Sequence, residues 1–313
     1  MHFLPLTDNA ARQAIDAMTV FAEWRRVLAQ AQPYRGSMYW KVEAGYEYLV
    51  KTQPGRRTQQ RLGARSAETE RVLADYMPRK AALEERLAAL RAALTETERM
   101  NKALKAGRTP TVLIKLLLTL EDAALSEHFT VVGTHALYAY EAAASVRIVP
   151  GALATQDVDL LWDARKRVQF MSTLQRLDAS MLGVLQRADP TFQRKQGQNE
   201  TAINAQGFEV DFLRRQPEGD DPHPFRFSDD EGDLWPVQAL RASVLTAAPR
   251  FEQAVIGVTG RMALMRTVAP ATFVEFKRWM AAQAPGRPEA KRRRDRLQVD
   301  VVQALLDQKL LVA

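Results

Sequence analysis

The sequence predicts an α+β protein, and three observations lead to that prediction. Residues 38–52, MYWKVEAGYEYLVKT, carry aromatic and β-branched side chains on both sides of Ala44-Gly45, a pattern that favours a β-hairpin. Leucines in the segment Leu83–Leu94 repeat at spacings of four, three and four, which predicts a long helix with a narrow apolar seam. From Phe129 onward, short apolar segments that favour strands alternate with segments of helical periodicity.

The composition limits the chemistry available to the chain. It has 313 residues, a formal net charge of +7 and no cysteine, so disulfides, zinc–thiolate sites and cysteine nucleophiles are excluded. No apolar run is long enough to cross a bilayer, and the first residues lack the features of a signal peptide, so we expect a cytoplasmic protein with no membrane partner. A basic chain suits polyanionic partners such as RNA, DNA or nucleotide phosphates, although a solubilising surface gives the same balance.

The first sixty residues are expected to form a helix followed by short strands. Apolar residues at spacings of three and four predict a helix over Asp8–Gln30, which Pro33 ends. After the hairpin, Pro54-Gly55 predicts a turn, and Thr58–Leu62 predicts a third short strand.

Two helices are expected after these strands. Ser66 has the side chain of an N-cap, and acidic residues follow it in the first turn. A second, long helix is expected after Pro78, because the leucine repeat there has neighbours rich in alanine, glutamate and arginine. The seam Leu83–Leu94 covers too few heptads for a long coiled coil, so it predicts either a helical hairpin or a homodimer through this helix.

The second half of the chain is expected to alternate between the two kinds of element. Strands are expected at Phe129–Val132, Asp157–Trp162, Glu200–Ile203 and Phe208–Leu213, and as a pair around Gly257–Gly260. Helices are expected at Thr111–Ser126, Ala136–Ala144, Ala164–Leu177, Thr272–Gln283 and Pro288–Leu310. The polar stretch 216–233, rich in proline, glycine and aspartate, is expected to be an exposed loop.

A strand that runs through Gly133-Thr134 into a helix is the first candidate for chemistry. Glycine lets a backbone or a phosphate approach closely, and the start of the helix offers free N–H groups to an anion. Turns of this kind are also common in ordinary α/β packing. No chemical role is assigned to the neighbouring His135.

Two aspartates on one predicted strand form the second candidate. Asp157 and Asp159 stand two residues apart in TQDVDLLWD, so both carboxylates project from the same face, while Val158 and Leu160 point into a core. Carboxylates placed so close repel each other unless a cation lies between them, and Mg²⁺ prefers carboxylate oxygens. The alternative is a solvated edge strand of alternating polarity.

A third acid follows on a later predicted strand. Asp211 stands between Val210 and Phe212 in GFEVDFLRR, and it could complete a two-metal site and deprotonate an attacking hydroxyl. Glu209 shares its face and is either a spare ligand or a surface acid.

The order of these three segments resembles the DNA polymerase β nucleotidyltransferase superfamily. The resemblance implies the nucleotidyltransferase fold, a short mixed sheet with helices against it. It also implies that Gly133 and Thr134 hold the β- and γ-phosphates of a nucleoside triphosphate (NTP), that Asp157 and Asp159 bind two Mg²⁺ or Mn²⁺ ions, and that Asp211 completes the site. Threonine stands at position 134 where serine is more common, and its hydroxyl can make the same hydrogen bonds.

Most of the chain also resembles a family of bacterial proteins with this fold. The segments that carry the resemblance are YWK…GYEYLV, RLGARSAETE, VVGTHALYAYEAA, ATQDVDLLWDAR, FVEFKRWM and KRRRDRLQ. The resemblance implies the fold and a broad activity but no acceptor. We expect an accessory region of hairpin and helices over 1–128, a catalytic core over 129–235 and a segment over 236–313 that closes the nucleotide site.

Lys277 is the remaining candidate for nucleotide binding. In enzymes of this superfamily, a helical lysine at the corresponding place often contacts the triphosphate; the alternative is a solvated lysine beside core aromatic residues. In KRRRDRLQ, the residues Lys291, Arg294 and Asp295 offer an ion pair that could tie the last helix to the catalytic core, with a solvated face as the alternative.

The expected reaction moves a nucleoside monophosphate from an NTP to an acceptor hydroxyl and releases pyrophosphate. RNA, and tRNA in particular, is the preferred acceptor, because the aromatic hairpin with Trp40 and Tyr46 lies next to the basic cluster Arg56–Arg65 and could stack bases. The alternative for Trp40 is packing on Trp24 and Phe21. The alternative functions are an AMPylating, toxin-like enzyme with a protein acceptor, and a non-catalytic nucleic-acid-binding protein with this fold.

Overall fold

The computed structural model describes residues 2–52, 59–223 and 225–312. The helices are α1 Asp8–Ala31, α2 Ala67–Ala103, α3 Thr111–Asp122, α4 Leu137–Ala143, α5 Pro150–Leu153, α6 Arg167–Leu177, α7 Met181–Ala188, α8 Ala242–Ala247, α9 Pro270–Ala282 and α10 Glu289–Asp307. The strands are β1 Phe3–Pro5, β2 Met38–Glu43, β3 Tyr46–Thr52, β4 Gln59–Ala64, β5 Phe129–Val132, β6 Val146–Ile148, β7 Asp157–Trp162, β8 Gln193–Arg194, β9 Thr201–Ile203, β10 Glu209–Arg214, β11 Val237–Gln238, β12 Arg250–Ile256 and β13 Met262–Val268. The predicted turn at Pro54-Gly55, together with Arg56, Arg57 and Thr58, lies outside the described residues.

The chain divides into two compact units. One, here called the core unit, combines Met1–Ala14 with Asn101–Ala313, and the other, the hairpin unit, is Ile15–Met100. The hairpin unit therefore interrupts the core unit in sequence. The separate roles predicted for residues 1–128, 129–235 and 236–313 stay predictions.

An antiparallel sheet, β2–β3–β4, follows α1 in the hairpin unit. β2 and β3 pair in register up to Glu43 opposite Tyr46, and the residues between them, Ala44 and Gly45, have φ angles of +49° and +81°. A two-residue turn with two positive φ angles matches the twist of the strands that it joins, and glycine adopts it without strain. The predicted hairpin is confirmed, and the predicted third strand is observed at Gln59–Ala64.

One continuous helix, α2, occupies the stretch for which the sequence predicts two. Pro78 lies inside it, so the prediction of a second helix that begins after this proline is wrong. The missing N–H leaves the carbonyl of Ala74 without its helical donor, but both residues are exposed, so water can bond that carbonyl. The helix begins as predicted, because Ser66 Oγ accepts a hydrogen bond from the N–H of Thr69 at 3.3 Å.

The leucine seam of α2 packs against α1 inside the hairpin unit. Leu87 and Leu90 are buried with Val27, and Leu83 and Trp24 pack at the edge of this cluster. Of the two predicted uses of the seam, contact between two helices of the chain is the one observed. The homodimer through Leu83–Leu94 stays a prediction.

Trp40 packs on its own sheet and on α2. It lies against a cluster of Met38, Leu49 and Tyr76, whereas Trp24 belongs to the separate cluster between α1 and α2. The alternative in which Trp40 packs on Trp24 is therefore wrong, because the pleat of β2 turns this ring toward α2.

The mixed sheet of the core unit has the order β5-β7-β10-β9-β8, with β11 beside β10. β7 and β10 run parallel, while β5 and β9 run antiparallel to their neighbours. On one face, the even-numbered residues Val158, Leu160, Val210 and Phe212 are fully buried in a core shared with α3, α6 and α7. The predicted α+β class is confirmed.

The opposite face of the same sheet is covered only at one end. Leu161 and Leu213 pack there with α8, α9 and α10, and Pro270 and Pro288 mark the starts of the last two helices. Asp159 and Asp211, two residues before these leucines on the same face, are not covered and line a cavity. This uncovered stretch is where the candidate site lies.

Several elements are not predicted by the sequence. β1 pairs antiparallel with β6, with Phe3 opposite Ile148, and strands of two or three residues are too short to show a period. The helix α7 is longer, and its signal is Ser180, whose Oγ accepts from the N–H of Gly183 at 3.1 Å. Within the described ranges, no helix combines the length and the apolarity that crossing a membrane requires.

Candidate active site

Three aspartates meet on the uncovered face of the sheet. In the parallel pair of β7 and β10, Asp159 lies opposite Asp211, and Asp157 lies opposite Glu209. Residues two apart on a strand share a face, so all four side chains project to the same side. One carboxylate oxygen each of Asp157, Asp159 and Asp211 lies within 4.8 Å of the others. The acids predicted from three separate positions are thus brought together, in a set that a divalent cation could bind.

The proximity of these carboxylates changes their ionisation. Burial, together with Asp157 and Asp211, raises the pKa of Asp159 to about 7, while Lys277 acts in the opposite direction. Burial also raises the pKa of Asp211, although the hydroxyl of Thr201 donates to its Oδ1 at 2.6 Å and favours the charged form. Acids that repel each other in this way are stabilised when a cation is bound among them, which fits the predicted metal site.

Gly133 lies directly against the carboxylate of Asp159. Its φ is +69°, and a Cβ at this position would collide with the carboxylate oxygen Oδ2 of Asp159. Both facts require glycine here. The 3₁₀ turn Gly133–Ala136 then leads into α4, so the first N–H groups of this segment lie beside the carboxylates. The phosphate contact predicted for Gly133 stays a prediction.

Thr134 lines the same cavity, although only 6% of its surface is exposed. Its Oγ1 accepts a hydrogen bond from Nε2 of Gln298 on α10, at 3.0 Å. The same Nε2 also donates to the carbonyl oxygen of Ala152, at 2.8 Å. The last helix is therefore fixed to the Gly-Thr turn by a buried amide.

A cavity of about 440 Å³ lies in front of the three aspartates, a volume typical of small-molecule sites. Its polar lining comprises Gly133, Thr134, Asp157, Asp159, Asp211, Lys277, Arg287, Lys291 and Arg294. Its apolar lining includes Leu161, Leu213, Leu240, Phe276 and Met280. A ligand that carries several negative charges and one apolar or aromatic group would match both parts of this lining.

Lys277 is buried rather than solvated. It is 5% exposed, because α9 packs against α10, so the alternative of a solvated lysine is wrong. Its Nζ donates to Oδ1 of Asp295 at 2.9 Å, and Arg287 donates to both oxygens of the same carboxylate. Burial lowers the pKa of Lys277, whereas Asp295 and Asp159 raise it. Asp295 therefore holds two cations at the cavity wall; contact between Lys277 and a triphosphate stays a prediction.

The last helix is tied to the rest of the core unit, as predicted for its basic segment. Asp295 is fully buried, and its ion pair with Lys277 joins α10 to α9. Arg294 donates to the carbonyl oxygen of Ala154 at 2.7 Å, which joins α10 to the segment before β7. Lys291 lines the cavity.

Two neighbouring residues have other partners. Glu209, predicted as a spare ligand or a surface acid, lies beside the three aspartates. Its Oε1 forms an ion pair with Nζ of Lys195 at 2.6 Å. His135 is buried with its ring edge-on to Phe208, and burial lowers its pKa to about 4, so its imidazole is neutral at pH 7. Its ring packs in the core beside Tyr138 and Phe208.

Three residues of the site are not predicted by the sequence. Thr201, Arg287 and Gln298 contact Asp211, Asp295 and Thr134 respectively. Thr201 stands opposite Asp211 in the antiparallel pair of β9 and β10, so correct pairing of these strands would have found it. Arg287 lies in no motif that could have revealed it, and Gln298 ends the segment KRRRDRLQ, in which no pattern distinguishes it.

The fold and the carboxylate set define a class of protein. The short mixed sheet with flanking helices is the predicted nucleotidyltransferase fold. Residues 111–312 match the model of a family described as Nucleotidyltransferase. No curated protein and no solved structure matches the chain. Because the family match covers well over half of the chain, the protein belongs to this nucleotidyltransferase family, whose substrates are NTPs.

Proposed function

We propose that this protein transfers a nucleoside monophosphate from an NTP to an acceptor hydroxyl and releases pyrophosphate, by a mechanism of the DNA polymerase β type. The observation that carries the proposal is the meeting of Asp157, Asp159 and Asp211 in a cavity that Lys277 and Arg287 also line. Acids that can hold cations, next to fixed positive charges, are the arrangement that a triphosphate and its metal ions require.

The three aspartates have distinct roles in this proposal. Asp157 and Asp159 would hold two Mg²⁺ or Mn²⁺ ions, with Asp211 as a third ligand residue. When bound, such ions polarise the α-phosphate and stabilise the attacking and leaving oxygens. Asp211 accepts the proton of the acceptor hydroxyl and so acts as the general base. The hydroxyl of Thr201 keeps one of its oxygens oriented.

The remaining residues of the cavity bind and orient the triphosphate. The turn at Gly133 and the hydroxyl of Thr134 donate to the β- and γ-phosphates. Lys277 contributes a positive charge that Asp295 keeps in place. α9 and α10 line the cavity and exclude water from the phosphates, which strengthens these interactions.

The direct test supplies every nucleotide and many acceptors at once. The protein is incubated with each α-³²P-labelled NTP, Mg²⁺, total RNA and cell lysate, with and without EDTA. We expect EDTA-sensitive transfer of label to RNA. Label that enters protein instead would establish the AMPylating alternative. If no fraction takes up label with any NTP, the proposed transfer is refuted and a non-catalytic role takes its place.

Replacing Lys277 tests the binding of the triphosphate. Lys277→Met keeps the length of the side chain and leaves Asp295 paired with Arg287, so the fold should persist. We expect the KM for the NTP to rise about tenfold or more, since a charge-assisted hydrogen bond contributes about 1.5–3 kcal/mol. The kcat should fall much less. Steady-state kinetics with a saturating acceptor measures both values.

Arg278 provides the matched control for this substitution. It neighbours Lys277 on α9, but it is exposed and bonds to Gln303 outside the cavity. Arg278→Met should leave the KM unchanged. A KM for Lys277→Met within twofold of the wild-type value would show that this lysine does not contact the nucleotide.

RNA is the acceptor that we propose. The support is the net charge of +7 and the exposed aromatic rings of the hairpin unit, where Tyr46 is 67% and Tyr39 38% exposed. Among the cations near these rings, Arg61 lies over the ring of Tyr48 at 3.6 Å and pairs with Glu43. Trp40 is packed, so we assign base stacking to Tyr46 and Tyr39 instead.

Two aromatic substitutions separate packing from RNA binding. Trp40→Ala removes a ring from the Met38 cluster and should destabilise the hairpin unit by about 2–3 kcal/mol, with a lower Tm. Tyr46→Ala should leave the Tm unchanged and weaken RNA binding by about 1–3 kcal/mol. Thermal unfolding and titration with labelled tRNA at low salt give the two values. Equal tRNA affinity for Tyr46→Ala and the wild type would refute stacking by this ring.

A further inference from the structure

Gln298 is a fully buried amide that contacts the Gly-Thr turn. Its Nε2 donates to Thr134 Oγ1 at 3.0 Å and to the carbonyl oxygen of Ala152 at 2.8 Å. Its own Oε1 is buried and, among the described residues, has no hydrogen-bond partner. A buried carbonyl oxygen without a donor costs about 1–3 kcal/mol, so the orientation of this amide is held by the bonds on its nitrogen side.

The contact with Ala152 distinguishes the nitrogen Nε2 of the Gln298 amide from its oxygen Oε1. A backbone carbonyl only accepts hydrogen bonds, so the side-chain atom at 2.8 Å from it must be the nitrogen. The reversed amide would place two carbonyl oxygens against each other. Since the same nitrogen reaches Thr134, the oxygen of the Thr134 hydroxyl is the acceptor in that bond. The hydroxyl proton of Thr134 is therefore left to donate elsewhere.

The Thr134 hydroxyl can donate this proton in a hydrogen bond to a ligand in the cavity. Thr134 lines the cavity that the three aspartates and Lys277 share. A hydroxyl that already accepts a hydrogen bond is a stronger donor, because successive hydrogen bonds polarise one another. An anionic oxygen, with its lone pairs, is the partner that suits such a donor best.

We propose that Gln298 is a positioning residue that commits the Thr134 hydroxyl to donate to a phosphate oxygen of the bound nucleotide. This inference rests on the proposed function, because it requires a triphosphate in the cavity. Gln298 itself is not a catalytic residue, since it touches the hydroxyl and not the substrate. Binding of the triphosphate by Thr134 then depends on Gln298 of the last helix, which lies 164 positions further along the chain.

A double-mutant cycle tests this dependence without any transfer reaction. The variants are Thr134→Val, which keeps the shape of the side chain, Gln298→Met, which keeps its length, and the two together. Calorimetry measures the affinity of each for inorganic triphosphate with Mg²⁺. We expect each single substitution to weaken binding about tenfold, and the double variant to bind about as weakly as either single variant.

A purely structural role for Gln298 gives a different result. If the amide serves only to tie α10 to Ala152, Gln298→Met lowers the Tm, and its affinity for triphosphate equals that of the wild type. Independent, multiplying losses in the double variant would likewise overturn the inference. The wild-type protein tells a failure of this inference from a failure of the proposed function. If the wild type binds triphosphate, only the inference about Gln298 is overturned by these results; if it binds none, the proposed function is overturned as well.

A second pair of variants covers the case in which Gln298→Met does not fold. Gln298→Glu keeps the shape of the side chain, but its carboxylate accepts from the Thr134 hydroxyl and turns the proton away from the cavity. We expect it to weaken binding of triphosphate at least tenfold, whereas Thr134→Ser, which keeps the hydroxyl, should bind within about threefold of the wild type. Unchanged affinity of Gln298→Glu would overturn the inference.

Discussion

Asp159→Ala is expected to abolish nucleotide transfer and to leave the fold intact. The side chain projects from β7 into the cavity and lies at the centre of the carboxylate set, opposite Asp211 and against Gly133. In the proposed mechanism, its loss removes a ligand for the cations that would supply several kcal/mol of transition-state stabilisation, so kcat should fall by at least about a thousandfold. Transfer of label from the preferred α-³²P NTP measures the loss, and circular dichroism verifies the fold.

Glu209→Gln is the matched control. Glu209 lies on the same face of the adjoining strand, but its carboxylate is bound to Lys195. We expect its kcat to remain within a few-fold of the wild-type value. Transfer by Asp159→Ala at the wild-type rate would show that these aspartates are not the catalytic centre.

Asp159→Asn is expected to stabilise the protein above pH 7 when no divalent cation is present. Burial and two neighbouring carboxylates raise the pKa of Asp159 from 3.8 to about 7, so its charged form is unfavourable in the folded chain. One pKa unit corresponds to about 1.4 kcal/mol, so the gain in the free energy of unfolding at pH 8 is on the order of 2–4 kcal/mol. Such a gain reflects the general conflict between stability and function at active sites.

The dependence of this gain on pH has a definite sign. Between pH 4 and pH 7 the folded state keeps the proton that the unfolded state has lost, so the wild-type stability decreases as the pH rises through this window. The advantage of Asp159→Asn should therefore be complete above pH 7 and less than half as large at pH 5. Urea unfolding in EDTA at pH 5 and pH 8 measures it. An advantage of equal size at both values would contradict the shifted pKa of Asp159.

Local patterns in the sequence were sufficient to predict the strands that carry the acids. The alternation of Val158, Leu160 and Trp162 with residues of the other face predicts β7 with its observed bounds, and these three side chains pack in one core. The same alternation placed Asp157 and Asp159 together on the uncovered face. What alternation could not show is that β10 pairs with β7 in parallel, which brings Asp211 opposite Asp159.

Features that depend on distant parts of the chain could not be predicted. Lys277 is buried because α9 packs against α10, which brings its ammonium group to Asp295. The role proposed for Gln298 rests on its contacts with Thr134 and Ala152. The sequence predicts the start of a helix after Pro78, but α2 runs through this proline, because its exposed surface allows water to replace the lost hydrogen bond. In each case the outcome depends on what surrounds the residue and not on its neighbours in sequence.

The interruption of the core unit by residues 15–100 determines the order in which the protein can fold during synthesis. The hairpin unit is one continuous stretch of the chain and can form early. β1 must wait for β6, because Phe3 pairs with Ile148. The carboxylates of β7 and β10 then emerge from the ribosome well before α10, which brings Asp295 and Gln298. A nascent chain therefore carries repelling acids without the helix that completes their cavity, and the site is assembled only after its last helix has been made.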